Sequence, residues 1–194
     1  MAINSVCVYC ASSSKVDAIY FDAAQRLGKV LAEHEVRCVY GGGNRGLMRV
    51  LADSVLQNGG EVKGVIPHFM HQEGWSHLEL TQLDFVDSMH ERKHQMSDGV
   101  DAAIALPGGC GTMEELLEII TWKQLGLFVK PIIIVNTDGY YDPLLAMFER
   151  ALEGNFIRDI HAKIWSVVTQ PEEVLDAIEK AENWHDDPRS IAAI

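Results

Sequence analysis

Residues 101–115 read DAAIALPGGCGTMEE: an apolar run passes through one proline into three closely spaced glycines and then into a stretch with helical spacing. The run over 102–106 is too short for a helix and carries no polar alternation, so it reads as a strand buried on both faces. Residues 113–127 repeat apolar side chains at helical intervals, so a glycine-rich turn joins strand to helix. This unit recurs in both directions. Strand-like runs fall at 3–9, 36–40, 61–66, 80–86, 102–106, 132–135 and 166–168, with helical patterns at 16–33, 47–57, 91–99, 113–127, 142–153 and 171–181. Alternation of this kind predicts an α/β fold, a Rossmann-like three-layer sandwich around a mainly parallel sheet of about seven strands. No linker divides the chain, which predicts one domain over 1–183 and a polar C-terminal tail over 184–194, with Asp186, Asp187 and Pro188 as helix breakers.

Of the 194 residues, 47% are hydrophobic and 23% charged, an ordinary globular balance. No apolar run is long enough to span a membrane, and the start, MAINSVCVYC, lacks the basic and apolar regions of a signal peptide, so a cytoplasmic location is expected. A formal charge of −12 argues against nucleic acid or an anionic membrane as partner, while leaving room for a local basic pocket. Cys7, Cys10, Cys38 and Cys110 show no paired metal-ligand spacing, and core cysteines are expected.

In parallel sheets ligands sit outside the carboxyl ends of the strands, which directs attention to three loops rich in small residues. CASSS follows the first strand, with Ser12, Ser13 and Ser14 offering hydroxyls and a helix cap. GGGNRG follows the second and spells a dinucleotide fingerprint from Gly41 to Gly46. That fingerprint needs an acid about 20 residues on at the far end of the next strand, whereas Glu61 begins its strand. The weaker inference is kept, that these glycines allow a close backbone approach to something phosphate-like. After the fifth strand, Gly108, Gly109 and Gly111 permit an open loop whose amides at the helix start attract an anion. Glu115 has two readings here: a carboxylate facing a ligand, or the partner of Thr112 in a capping box. Its neighbour Glu114 reads as solvated or as favouring the helix dipole.

MHERKHQM, residues 89–96, contains the letters of a zinc-protease motif in His90, Glu91 and His94. On a helix turning about 100° per residue, Met89 and Met96 share a stripe with Arg92 and Lys93 beside it, and the histidines rotate away. Cations on the buried side require anionic partners. The stretch therefore asks for an anion rather than a metal, and an internal ion pair is the plain alternative.

In these stretches the chain resembles the LOG ("lonely guy") family of cytokinin riboside 5′-monophosphate phosphoribohydrolases, many of whose members were once labelled lysine decarboxylases. The family pattern PGGxGTxxE is met from Pro107 to Glu115, with Arg92 and Lys93 at the family's spacing upstream. The likeness runs from CASSS through GGGNRGLM, DSMHERKHQM and LLEIITWKQLGL to GYYDPLL. It implies Arg92 and Glu115 as the catalytic pair, and Lys93, Ser13, Gly43, Gly109, Cys110, Gly111, Thr112, Met113, Glu114 and Thr121 as substrate or phosphate contacts. It further implies a nucleoside 5′-monophosphate substrate, no metal or organic cofactor, and a homodimer whose interface contributes to the site. Arg49 departs from the glycine that often follows GLM in the family, and Glu73 meets the family's acidic position only with a one-residue shift, so base contacts at Glu73 and His77 are left open. AMP nucleosidase, and a non-catalytic nucleotide binder like the molybdenum-cofactor carriers of similar fold, stand as alternatives. The decarboxylase label finds no lysine in a pyridoxal-phosphate context.

Overall fold

The computed structural model describes residues 3–184; residues 1, 2 and 185–194, which include Asp186, Asp187 and Pro188 of the expected tail, lie outside them. Seven strands form one sheet: β1 (Ser5–Tyr9), β2 (Arg37–Tyr40), β3 (Val62–Pro67), β4 (Gln82–Val86), β5 (Ala102–Ala105), β6 (Ile132–Val135) and β7 (Ser166–Val168). Their order is β4-β3-β2-β1-β5-β6-β7, and every pairing is parallel. The sequence expectation of an α/β sandwich with about seven strands holds.

The helices are α1 (Ala18–Glu33), α2 (Gly46–Gln57), α3 (His68–Gln72), α4 (Met89–Ser97), α5 (Cys110–Gln124), α6 (Asp142–Glu153) and α7 (Val174–Lys180). Two separate cores show why the strands read as unbroken apolar runs. Val6 and Val8 of β1 pack with Leu27 and Leu31 of α1, Leu47 and Leu51 of α2 and Ile178 of α7. Cys7 and Tyr9, pointing the other way as the pleat demands, pack with Met96 of α4 and Leu116 and Ile119 of α5. Each face is covered by helices, so neither set of alternating side chains meets water.

Three local features differ from expectation. Helix α5 begins at Cys110, with Gly109 in an extended conformation as its N-cap and no side-chain cap. Thr112 therefore lies inside the first turn, the capping box with Glu115 does not form, and Glu115 is released for other contacts. Helix α3 occupies a stretch with no apolar periodicity to announce it. At the other end, Trp184, placed by the sequence at the start of a tail, is buried: its Nε1 donates to the Lys123 carbonyl at 2.8 Å, and the Lys123 Nζ lies 5.3 Å from its ring centroid. Its bulk and its indole donor are both satisfied there, which holds the chain onto the α5 side of the sheet.

β1 is the point where the sheet changes its direction of growth, toward β2 on one side and β5 on the other. The loops that leave the carboxyl ends of these three strands border one crevice, the usual ligand position in such sheets. Helices α1 and α2 form one wall beneath it, and Leu51 is fully buried between them and the sheet. Replacing Leu51 by Ala removes this packing and leaves a cavity; the expected loss is about 2–5 kcal/mol of unfolding free energy, read from urea denaturation, and a loss below about 1 kcal/mol would contradict the packing assigned to it.

Candidate active site

Backbone contacts bring the three loops together. The Ala11 amide donates to the Pro107 carbonyl at 3.2 Å, and the Met48 amide to the Ala11 carbonyl at 3.2 Å. Gly46 has a φ of +60°, and a Cβ there would lie 2.5 Å from the Ser12 carbonyl carbon, so the start of α2 rests directly on the β1 loop. A fourth segment closes the rim: the Asn44 amide donates to the Trp75 carbonyl and the His77 amide to the Gly42 carbonyl, each at 2.9 Å. The open cavity they border has a volume of about 510 Å³.

On one side the cavity is built around Arg92. Its guanidinium passes beneath the GGG loop, where Nη2 donates to the Gly41 carbonyl at 2.7 Å and Nε to the Val65 carbonyl at 3.1 Å. A Cβ on Gly41 would fall 1.9 Å from Nη2. The glycine therefore admits the protein's own cation, a different use from the close approach of a phosphate. The Arg92 residue is only 7% exposed, and its Nη1 lies 3.9 Å from the Glu115 Oε1. That separation is too long for a hydrogen bond but well within electrostatic reach. Burial pushes the Glu115 carboxyl up to about 7 even though Arg92 opposes the rise. A group so placed changes charge near neutrality, as a proton-transferring or charge-stabilising carboxylate must.

The same cavity takes in the N-terminus of α5, the helix that carries Glu115. Gly109, Cys110, Gly111 and Thr112 line the cavity, no acid occupies the first turn, and no side chain caps it. Its free amides and the helix dipole together make an anion site. A Cβ at Gly108 would meet the Thr112 Oγ1 at 2.1 Å, which fixes glycine there. The GYYD stretch, expected as a turn and helix start, does supply the start of α6 at Asp142, and it also braces this loop. Tyr140 Oη donates to the Gly108 carbonyl at 2.5 Å, and Tyr141 Oη to the Leu106 carbonyl at 2.8 Å.

Of the residues singled out in the sequence, Arg92, Glu115, Gly43, Gly109, Cys110, Gly111 and Thr112 line the cavity. Ser13, Lys93, Met113, Glu114 and Thr121 do not. Ser13 Oγ accepts from the Lys15 amide, and Ser12 takes the place in the wall. Lys93 is held by Glu114 and by Glu118, the latter at 3.0 Å. Thr121 is exposed on α5 and donates to the Leu117 carbonyl. Cys7, Cys10 and Cys38 are buried as expected, whereas Cys110 is exposed because it opens α5 at the cavity. Met89, expected on the buried stripe of α4, is 38% exposed and lines the cavity instead. His90 and His94 face solvent, and Glu91 accepts from the Asp87 amide at the helix start. His77 is buried on Asp53 at 2.9 Å and Glu73 is exposed; neither lines the cavity.

Sequence reading missed Asn44, Arg45, Met48, Ile66, Met70 and Trp75, all of which line the cavity. Asn44 and Arg45 were within reach, since they lie inside the GGGNRG loop. The apolar four gave no signal, because single apolar residues scattered over α2, β3, α3 and the segment after it look like core.

Residues 48–178 match the family model described as "Possible lysine decarboxylase". A "probable cytokinin riboside 5′-monophosphate phosphoribohydrolase" of Oryza sativa subsp. japonica is 48% identical over 79% of this chain and 69% of its own. A cytokinin riboside 5′-monophosphate phosphoribohydrolase of Arabidopsis thaliana is 39% identical over 94% of this chain and 85% of its own. Among solved structures, the molybdenum cofactor carrier protein of Chlamydomonas reinhardtii superposes with a TM-score of 0.69 over 92% of this chain and 98% of its own; at 17% identity it supports the fold alone. Sequence identity of this extent, together with the family model, means that the chain belongs to the LOG family of cytokinin riboside 5′-monophosphate phosphoribohydrolases.

Proposed function

We propose that this protein hydrolyses the N-glycosidic bond of N6-modified adenosine 5′-monophosphates, releasing the free base and ribose 5-phosphate. The observation that carries the reading is one cavity lined by both a buried arginine–glutamate pair and an uncapped helix N-terminus. The 5′-phosphate would sit on the amides of Gly109, Cys110, Gly111 and Thr112, so that binding energy remote from the reacting carbon orients the ribose. As the C1′–N9 bond breaks, its electron pair leaves with the base, C1′ becomes oxocarbenium-like, and water supplies the new C1′–O bond. Ionised Glu115 would stabilise that positive charge and accept the water proton, which ends on the departing base. Arg92 would oppose the effect of burial on Glu115 and so keep a carboxylate available at neutral pH.

Met48, Ile66, Met70, Trp75 and Met89 give the cavity an apolar wall. Such a wall favours a base with an apolar N6 substituent over plain AMP, where it would face the bare amine. The direct test is chromatographic detection of base after incubation with N6-isopentenyladenosine 5′-monophosphate, its unphosphorylated riboside and AMP. Preferential release from the first is expected; faster release from AMP would make the protein a salvage nucleosidase, and no release from any would leave a nucleotide-binding protein.

Because Glu115 must be ionised, kcat/KM is expected to rise with pH through about 7. Glu115→Gln, which cannot ionise, should lose on the order of 100-fold or more in kcat and flatten that rise. An unchanged profile in the variant would remove Glu115 from the chemistry.

We also propose a homodimer. Leu117, Thr121 and Leu125 share the exposed face of α5, and Leu127 extends it at 72% exposure. A stripe of this kind is covered at low cost by a second copy. Light scattering is expected to give twice the 21.6 kDa of the chain, and Leu125→Glu to reduce it; a monomer mass for the unaltered protein would refute the dimer.

A further inference from the structure

Arg45 breaks a local rule without local compensation. It is the N-cap of α2, a position that favours Ser, Asp or Asn, and its side chain makes no capping hydrogen bond. A cation at a helix N-terminus also stands against the dipole. Arg45 nonetheless is exposed, lines the cavity, and has no ion pair among the described residues. Arg49, one turn further on, behaves as a surface arginine should, pairing with Asp53 at 3.2 Å.

Charge accounting gives this exception a role. A phosphate monoester carries a charge of about −1.5 to −2 at neutral pH, and one helix N-terminus offers roughly +0.5. The other cations near the cavity are already engaged: Lys93 by Glu114 and Glu118, and Arg92 by two carbonyls and Glu115. Ionisation of Glu115 would add one more negative charge to the same space. Among the described residues lining the cavity, Arg45 is thus the cation left to balance a phosphorylated ligand.

Resting on the hydrolase reading above, we propose that Arg45 is a phosphate-binding residue, closing from the α2 side on the phosphate held by the amides of α5. Its guanidinium would donate to the phosphate oxygens, favouring 5′-phosphorylated ligands over their unphosphorylated counterparts and placing the ribose between the two helix starts. Its effect is on ground-state binding, with no part in bond cleavage.

Calorimetry with ribose 5-phosphate tests this without requiring turnover. Arg45→Ala is expected to weaken ribose 5-phosphate binding by about 10- to 100-fold, with Arg45→Lys recovering part of the loss because it restores the charge without the fork. Arg49→Ala, which changes net charge equally but lies outside the cavity, should bind as the unaltered protein does. In hydrolysis assays the Arg45→Ala loss should fall on KM for the monophosphate more than on kcat, and should be absent for the unphosphorylated riboside. Melting temperatures of all three variants should match the parent, showing that the fold is intact. Equal affinity of Arg45→Ala and the parent for ribose 5-phosphate would overturn the proposal, as would an equal loss in Arg49→Ala or with the riboside. If ribose 5-phosphate binds through Arg45 but no base is released, the hydrolase reading fails while Arg45 stands; base release with no effect of Arg45→Ala is the reverse.

Discussion

The seating of the Arg92 guanidinium beneath the β2 loop is the constraint on which the cavity depends. Taking a cation out of water costs several kcal/mol unless its donors are met, and here they are met by the Gly41 and Val65 carbonyls and by the field of Glu115. Gly41 directly follows β2 and Val65 lies on its neighbour β3, so the side chain also ties the carboxyl ends of the two strands together. No residue larger than glycine fits at position 41 while the guanidinium is there. The side chain thereby links α4 to the carboxyl ends of β2 and β3 and sets the charge beside Glu115.

Two glycine loops of similar appearance are used in opposite ways. The one after β2 brings its backbone against the protein's own arginine, and its carbonyls are consumed inside the fold. The one after β5 leaves its amides open to the cavity and is supported from behind by Tyr140 and Tyr141. Glu115 beside the seated arginine and the open amides at the start of α5 thus place a carboxylate and an anion-attracting helix end in one small space. A molecule with an anionic end and a reacting centre that becomes positive is suited to that polarity.

Much of the fold was legible in the sequence because a strand covered on both faces needs a short unbroken apolar run, and glycine-rich turns mark where each run stops. The start of α5 was not. Thr112 and Glu115 have the spacing of a capping box, yet the extended conformation of Gly109 starts the helix at Cys110, and that depends on packing of the loop against Thr112 and Tyr140. At the site, Arg92 and Lys93 are adjacent and about 100° apart on the helix, so one can enter the cavity while the other is turned toward α5. The sequence placed both on the inner side and held no information about which goes where. The apolar wall from Met48, Ile66, Met70 and Trp75 was hidden for a different reason: it is assembled from α2, β3, α3 and the segment after α3, and only the folded sheet brings them together.

The burial of Glu115 also bears on the stability of the whole domain. Its carboxyl titrates near 7 in the folded chain and at the ordinary carboxylate value of about 4.3 once unfolded. The folded state therefore holds this proton more tightly than the unfolded state does. Its contribution to stability is fully present below the unfolded value and is lost as pH rises through the folded one, on the order of 3 kcal/mol for this group alone. That is a sizeable part of the 5–15 kcal/mol typical of a folded domain. The carboxylate form that suits a charge-stabilising role is thus the form the fold tolerates least, and a positively charged reacting centre beside Glu115 would relieve a tension already built into the cavity wall.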